Sequence, residues 1–161
     1  MAKTTVRLTD ICNFQGGSQP PKEEWIDHEA PGYIRMLQIR DFTQAEKDNV
    51  EYVKESKTLK KCNSDDILIG RYGASVGKIL TGLSGAYNVA IIKTIPDENK
   101  IFKRYLYFYL NSPYFQNYIA AVGSRAAQAG FNKEDLNSAV IPLPPLGEQR
   151  RIAISLDKVS D

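Results

Sequence analysis

Cysteine, histidine and long apolar runs are all scarce in this chain of 161 residues. The two cysteines, Cys12 and Cys62, lie far apart, and no charged-then-apolar leader precedes them, so the sequence supports neither a disulfide framework nor a secretory route. No apolar run approaches the roughly 18 residues that a membrane span requires. We therefore expect a cytoplasmic protein that has no membrane partner.

Net charge is also small, because 21 Lys and Arg residues stand against 19 Asp and Glu residues and the formal charge is only +2. That value is modest for a protein that coats nucleic acid nonspecifically. With 42% hydrophobic and 25% charged residues, the composition is ordinary for a folded domain of this length, so disorder is not expected. Composition thus predicts one folded domain and leaves its function open.

The only histidine, His28, lies in a polar segment beside Asp27 and Glu29 and has no further ligand at metal-like spacing. A solvated loop histidine is the simpler interpretation. Neither a His-assisted Ser or Cys nucleophile nor a cluster of nuclease carboxylates can be assembled from the rest of the chain. The sequence therefore predicts no catalytic residue and no metal site.

Segments rich in β-branched and aromatic residues, bounded by Gly, Pro or Asp, predict strands in the first part of the chain. These segments are Val6–Leu8, Tyr33–Leu37, Asp66–Ile69 and Tyr87–Ile95. The run Gly82–Gly85 predicts a hairpin turn between Lys78–Thr81 and a strand that begins near Ala86. A β-rich half therefore comes first.

The spacing of apolar residues changes between Ile101 and Val122, where they recur every three or four residues. This spacing predicts two short helices. The second helix is expected to start at Ser112-Pro113, because Ser suits the N-cap and Pro the first helical position. Gly123 is placed to end it. The sequence thus predicts an α+β fold: a twisted, mainly antiparallel β-sheet with short helices, followed by the start of a long helix.

After a small polar loop, Asn132 and Asp135 predict a capping box on a third short helix. Three prolines within Pro142–Pro145 then keep the chain extended, and a further helix is expected to begin near Leu146. Its apolar residues have the heptad spacing i, i+4 and i+7 of a seam that needs a partner helix. The residues of this seam are Ile152, Leu156 and Val159.

The stretch from Leu143 to Ala153 resembles the junction in specificity subunits of type I restriction-modification systems, where an LPPL-x-EQ signature ends a DNA target recognition domain and opens a long spacer helix. The remainder is similar to one such domain at Val6–Cys12 with Gly16-Gly17, at Ile34–Asp41 and at Asp66–Gly77. The resemblance implies a recognition domain over residues 1–143 and a spacer helix that starts at 144 and is cut short at 161. Members of the family usually carry two of each, so we expect half a subunit or a piece of one.

The resemblance also implies a function without catalysis. Such a domain reads one half of a split double-stranded DNA site, with methyltransferase subunits that modify adenine at N6 and restriction subunits that cleave unmodified DNA as partners. S-adenosylmethionine is expected on the methyltransferase subunit, and no cofactor on this chain. A second recognition domain or half-subunit is expected to bind through the spacer helices.

Contacts with DNA are expected from Arg and Gln, which suit the edges of guanine and adenine, and from exposed cations. The residues we select are Gln38, Arg40, Arg71, Tyr72, Ser75, Lys78, Ser124, Arg125 and Gln128, with Lys57, Lys60 and Lys61 from the densest run of cations. Alternatives remain open at this point: an ion pair of Arg40 with Asp41 or another acid, core-facing side chains in the glycine-rich turn, and a solvated lysine segment.

Three other patterns are weaker. Gly73–Lys78 is not a phosphate loop, because three residues instead of four separate its glycines and Ile79 follows the lysine, so a turn between strands is favoured. Asn111–Tyr114 resembles the Asn-Pro-Pro-Tyr loop of adenine methyltransferases, but Ser stands at its second position and no glycine-rich loop for S-adenosylmethionine precedes it.

The third pattern is an aromatic band that could stack on bases, although burial of a helix against the sheet is the better explanation. Its members are Tyr105, Tyr107, Phe108 and Tyr109. The main rival to a DNA reader is a protein-interaction module that tethers partners through its C-terminal helix without contacting DNA.

Overall fold

The computed structural model describes residues 4–44, 49–125 and 130–160. The chain divides into two compact units, which we call the helical unit (residues up to 13 and from 95 onward) and the sheet unit (residues 14–94). The α-helices are α1 (Leu8–Ile11), α2 (Ile39–Thr43), α3 (Lys103–Leu110), α4 (Pro113–Arg125) and α5 (Leu146–Ser160). Short 3-10 turns lie at Lys22–Glu24, Gly73–Ser75 and Lys133–Ser138.

Within the described ranges the strands form three sheets. They are β1 (Thr5–Arg7), β2 (Cys12–Gly16), β3 (Tyr33–Leu37), β4 (Glu51–Lys54), β5 (Lys61–Cys62), β6 (Leu68–Gly70), β7 (Ile79–Leu80), β8 (Gly85–Tyr87), β9 (Ile91–Pro96) and β10 (Val140–Pro142). The sheet orders are β1-β10, β2-β9-β6-β7 and β4-β3-β8-β5. Mixed sheets with short helices confirm the predicted α+β class.

In the sheet unit, β3 lies between β4 and β8, and its bounds are those of the predicted strand Tyr33–Leu37. β3 pairs antiparallel with β4, where Tyr33 lies opposite Lys54, and parallel with β8, where Met36 lies opposite Ala86. Met36 and Ala86 are fully buried and belong to an apolar cluster with Trp25, Val53 and Leu59. A second apolar cluster forms around Leu37, Leu68 and Tyr87. Both clusters are part of the core of this unit.

In the helical unit, the predicted helices α3, α4 and α5 are all present, and α5 begins at Leu146 as expected. Tyr105 and Tyr109 of α3 are buried, and each hydroxyl donates a hydrogen bond of 2.7 Å to a backbone oxygen of β10. The aromatic band is therefore used mainly for packing, as preferred above. No helix within the described ranges is long and apolar enough to cross a membrane.

Several sequence predictions of local structure were wrong. The segment Gly82–Gly85 does not close a hairpin, because β7 pairs with β6 whereas β8 pairs with β3 and β5 in another sheet. The predicted strand Tyr87–Ile95 is interrupted after Tyr87, where the side chain of Asn88 accepts a hydrogen bond from the amide of Ala90 and forms a turn. β9 then begins at Ile91.

Two helix boundaries also differ from the prediction. Leu8, expected to end a strand, is the first residue of α1, and it is fully buried. Gly123 was expected to end α4, but it lies inside that helix, which continues to Arg125. The predicted capping box is confirmed, since the Asn132 side chain accepts from the Asp135 amide at 3.2 Å and the Asp135 carboxylate accepts from the Asn132 amide at 2.9 Å.

Candidate functional site

The residues expected to contact nucleic acid are distributed over both units. Most lie in the sheet unit: Gln38, Arg40, Lys57, Lys60, Lys61, Arg71, Tyr72, Ser75 and Lys78. Ser124 and Arg125 are the last residues of α4 in the helical unit. Gln128 lies outside the described residues.

Residues 71–78, which we call the glycine turn, connect the antiparallel strands β6 and β7. Gly73 and Gly77 have positive φ angles of 59° and 84°, a conformation that glycine adopts without steric cost. The base of the turn is closed by hydrogen bonds from the Gly77 amide to the Gly70 oxygen at 3.0 Å and from the Gly70 amide to the Lys78 oxygen at 2.9 Å. The predicted strand-to-strand turn is confirmed.

The glycine turn holds polar and aromatic side chains at the surface. Tyr72 is 41% exposed and Lys78 is exposed, while Ser75 is half-buried. The guanidinium of Arg71 lies 4.9 Å from the centre of the Tyr72 ring, and its Nη1 donates to the Val89 oxygen at 3.1 Å. These contacts restrain Arg71 and Tyr72 before any ligand binds, which lowers the entropic cost of using them in recognition.

Gln38 and Arg40 share an acidic partner, Glu51. The Glu51 carboxylate accepts from Gln38 Nε2 at 3.1 Å and from Arg40 Nη2 at 2.7 Å. Asp41, the acid considered as a partner of Arg40, instead accepts from Arg35 Nη2 at 3.2 Å. The alternative of an ion pair for Arg40 is thus realised, with Glu51 as the acid. Both members of the pair are partly exposed, so the ion pair adds little to stability and can exchange for another anion.

The lysine run surrounds the start of β5. Lys54, Lys57 and Lys60 are exposed, whereas Lys61 is half-buried and forms an ion pair with Glu55. Exposed ammonium groups on flexible stems suit contacts with phosphate oxygens more than recognition of base edges. The lysine run could therefore contribute affinity for phosphate groups but little preference for a base sequence.

The seam predicted on α5 faces partly outward. Ile152 is half-buried, Leu156 is 40% exposed and Val159 is 81% exposed. Leu156 also lines an apolar cavity of about 490 Å³ in the helical unit, together with Tyr105 and Phe108 of α3. A stripe of this exposure and spacing is typical of a helix that receives a second helix.

Gln149 in the first turn of α5 is fully buried, and the sequence analysis did not select it. Its Oε1 accepts from the Phe102 amide at 2.8 Å, and its Nε2 donates to the oxygens of Lys100 at 3.0 Å and Pro144 at 2.8 Å. The side chain thus joins the start of α3 to the start of α5. The signal that could have identified it is its place as the Gln of the signature. Neither its charge nor the apolar periodicity of the helix predicts that this residue is buried.

The segment that resembled a methyltransferase loop has a structural role. The Ser112 hydroxyl donates to the Tyr109 oxygen at 2.6 Å and accepts from the Phe115 amide at 3.4 Å, and Pro113 is the first residue of α4. Capping of α4 by Ser112 is therefore confirmed. His28 is exposed, as expected for a loop histidine, and its Nδ1 lies 3.1 Å from a carboxylate oxygen of Asp27.

Comparison with known proteins connects this geometry with one family. The model of the Methylase_S family, the type I restriction modification DNA specificity domain, matches residues 2–161. The chain belongs to this family. The resemblance carried by the LPPL-x-EQ signature is therefore confirmed, and the signature lies where α5 begins.

Curated relatives are specificity subunits of type I restriction enzymes. The chain is 27% identical over 150 residues to the MjaVIII specificity subunit of Methanocaldococcus jannaschii, which covers 92% of this chain and 33% of that protein. It is 25% identical over 134 residues to the EcoBI specificity subunit of Escherichia coli, covering 78% of this chain and 28% of that protein. This specificity domain thus spans about a third of the length of these relatives.

Solved structures give the same result. The crystal structure of the HsdS subunit from Thermoanaerobacter tengcongensis matches with a TM-score of 0.74 at 25% identity, over 98% of this chain and 37% of that chain. A chain from a structural study of complex assembly and conformational transition in the type I R-M system matches with a TM-score of 0.75 at 25% identity, over 98% of this chain and 38% of that chain. The specificity domain therefore shares its fold with these subunits.

Proposed function

We propose that this chain is a DNA target recognition domain that binds one half of a bipartite double-stranded site and performs no catalysis itself. Residues up to Leu143 form the reader, and the helix after Pro144 opens the spacer whose length sets the gap between half-sites. The observation that carries the proposal is the match of a DNA specificity domain family over residues 2–161.

The glycine turn is the best candidate for reading bases in the major groove. Arg71 can donate two hydrogen bonds to guanine, and its neighbour Tyr72 offers an exposed ring and hydroxyl at the same surface. Lys78 and the exposed lysines of the run supply phosphate contacts that fix register. Ser75 is a supporting contact from the same turn.

Gln38 and Arg40 form a second reading group that is restrained by Glu51. Because the Arg40–Glu51 pair is partly exposed, a base edge or phosphate can replace the carboxylate at small cost. Glutamine reads adenine and arginine reads guanine, so this pair can distinguish purines at neighbouring positions. We keep three further residues as proposed DNA contacts because of their residue types and their place in the sequence. They are Ser124, Arg125 and Gln128.

Catalysis belongs to partner subunits in this proposal. Methyltransferase subunits carry S-adenosylmethionine and extract the adenine from the duplex, and restriction subunits join the same assembly. A second recognition domain or half-subunit binds through the seam Ile152, Leu156 and Val159. The exposure of Leu156 and Val159 supports this assignment, because a heptad seam stabilises a helix only when another helix covers it.

The same exposed seam favours a second candidate, a tether that binds partners and does not read DNA. The two candidates differ in what a random duplex library selects. A reader enriches one short half-site, and its affinity falls steeply as salt rises, because phosphate contacts release counterions. A tether enriches no sequence and self-associates in a way that salt hardly changes. Selection from the library at two salt concentrations, with sedimentation of the free chain, decides between them.

A further inference from the structure

The contacts of Gln149 go beyond those of an ordinary helix start. Its amide uses one acceptor and both donors, all toward backbone groups, and the residue is fully buried. Two of these groups belong to Lys100 and Phe102 just before α3, and one belongs to Pro144 just before α5. Backbone partners cannot rotate away as side chains do, so this residue fixes one point of α5 against α3.

A second attachment lies further along the same two helices. Asp157 of α5 accepts from Arg104 of α3 through Nε at 2.9 Å and Nη2 at 2.6 Å, and because both side chains are partly exposed (44% and 42%), this ion pair is the weaker of the two attachments. The Arg104 guanidinium also lies over the rings of Tyr107 at 4.3 Å and Phe108 at 4.8 Å. Asp157 is eight residues after Gln149, which corresponds to about 12 Å along a helix. Two attachments at this separation define a direction, whereas one alone would act as a pivot.

Ala153 lies midway between the two attachments and is 1% exposed. Residues 149, 153 and 157 follow the spacing i, i+4 and i+8, so they share one side of α5. A small side chain in the middle lets α3 and α5 approach closely. At 3.6 residues a turn, the seam of Ile152, Leu156 and Val159 is centred about a quarter turn away. α5 therefore contacts α3 along one side and carries the partly exposed seam on another.

We propose that Gln149, Ala153 and Asp157 form a clamp that fixes the direction of α5 on α3, and that Gln149 is a positioning residue for the gap between half-sites. The second part rests on the proposed function, because a helix can set a gap only if its direction relative to its own domain is fixed. The first part concerns this chain alone.

The clamp is tested first by amide hydrogen exchange of the free chain. In Gln149→Met, which keeps length and burial but neither donates nor accepts as the amide does, the Phe102 amide should exchange about 10-fold faster or more, as expected when a hydrogen bond is lost. The control is Ile119→Val, a buried change in α4 that lowers stability without touching the clamp. Unchanged Phe102 exchange in Gln149→Met, at a stability matched to the control, overturns the role of Gln149.

Direction is measured with spin labels attached at Asn117→Cys in α4 and Ser155→Cys in α5, both exposed positions of the helical unit. The native thiols do not compete for label, because both are buried and burial raises the pKa of Cys12 to about 12 and of Cys62 to about 11. One narrow distance distribution is expected with native Gln149 and Asp157. Gln149→Met should broaden it, Asp157→Asn should broaden it less, and Asp157→Glu should restore it. Equal widths in all variants overturn the clamp.

The consequence for the gap is tested by placing residues 1–161 in a working specificity subunit and mapping adenine methylation with its methyltransferase. Gln149→Met should spread methylation over gaps one base pair shorter and longer at an unchanged half-site, whereas Ile119→Val should only lower the methylated fraction. A single unchanged gap in Gln149→Met overturns the positioning role. If the unsubstituted chain selects no half-site at all, the proposed function fails, and the exchange and spin-label results still decide whether the clamp exists.

Discussion

Three buried side chains of the helical unit bind backbone groups inside the protein, whereas the candidate reading residues of the sheet unit are partly exposed and lie beside one another. Gln149, Tyr105 and Tyr109 each direct their polar atoms to backbone partners. Arg71 stacks on exposed Tyr72, and Arg40 shares partly exposed Glu51 with Gln38. Polar groups of the first kind hold geometry, and those of the second kind can change partners.

The difference separates side chains that are held by buried contacts from side chains that a ligand can reach. Loss of the hydrogen-bond partners of a buried amide lowers stability far more than loss of an exposed ion pair does. Substitutions are therefore tolerated less well at the first kind of site. Surface residues on a glycine turn can be replaced without such a cost. The contrast predicts that substitutions of buried residues in the helical unit change stability, and substitutions in the glycine turn change DNA preference.

The largest effect is expected for Phe115→Ala in α4. Phe115 is fully buried in the helical unit, so its truncation should lower the free energy of unfolding by about 3–5 kcal/mol. Urea denaturation measures this loss. The protein that remains folded should select the same half-site as before, and a changed half-site would break the proposed division between the units.

Gly70→Ala should have the next largest effect. A Cβ at Gly70 would overlap the backbone oxygen of Ser75, so the glycine turn must shift, at a cost of roughly 2–3 kcal/mol in stability with loss of DNA preference. Gly73→Ala is the matched control, because its positive φ costs about 1 kcal/mol but its Cβ meets no atom within 4 Å. Equal losses of stability and of library enrichment in the two variants would show that the closed base of the turn does not matter.

Arg71→Ala should weaken binding to the selected half-site by about 1–3 kcal/mol and relax one base position. Arg104→Ala removes an arginine that also stacks on aromatic rings, but in the helical unit, and it should leave base preference unchanged. Titration of both variants against the half-site and its single-base changes provides the test. A uniform loss over all sequences in Arg71→Ala would assign that side chain to a phosphate.

The smallest effect compares two tyrosine hydroxyls. Tyr109→Phe should cost about 1 kcal/mol of stability, because its hydroxyl donates to the Val140 oxygen, whereas Tyr72→Phe should cost almost nothing. Burial raises the pKa of Tyr109, so the folded state holds that proton more tightly than the unfolded state does. The stabilising contribution of neutral Tyr109 is thus present below pH about 10 and is lost as the pH rises further. Between pH 8 and pH 11 the free energy of unfolding should fall less for Tyr109→Phe than for the unsubstituted protein, as measured by urea denaturation at both pH values. Equal decreases in the two proteins would contradict the prediction.

Features carried by local sequence were predictable. The helix start at Leu146, the strand Tyr33–Leu37 and the capping box of Asn132 and Asp135 follow from proline, β-branched and capping residues within a few positions. The family was predictable from the signature at the start of α5. In each case the deciding residues are close together in the chain.

Other features depend on residues that are distant in the chain. α1 and α2 contain only four and five residues, too few for a helical period to show. The partner of Arg40 is Glu51, which comes next to it through the pairing of β3 with β4. Gln149 reaches Phe102 across 47 positions, and no local pattern predicts such a contact. The candidate site therefore depends on contacts between distant residues, whereas the strands that support it follow largely from local sequence.

A domain graft tests most directly whether this domain reads DNA. Residues Val6 to Leu143 replace one recognition domain of a working specificity subunit, and adenine methylation is mapped over a genome after expression with the methyltransferase. A new half-site should appear beside the unchanged half-site of the resident domain. An assembled complex that methylates no site containing a new half would contradict this expectation and would favour the tether.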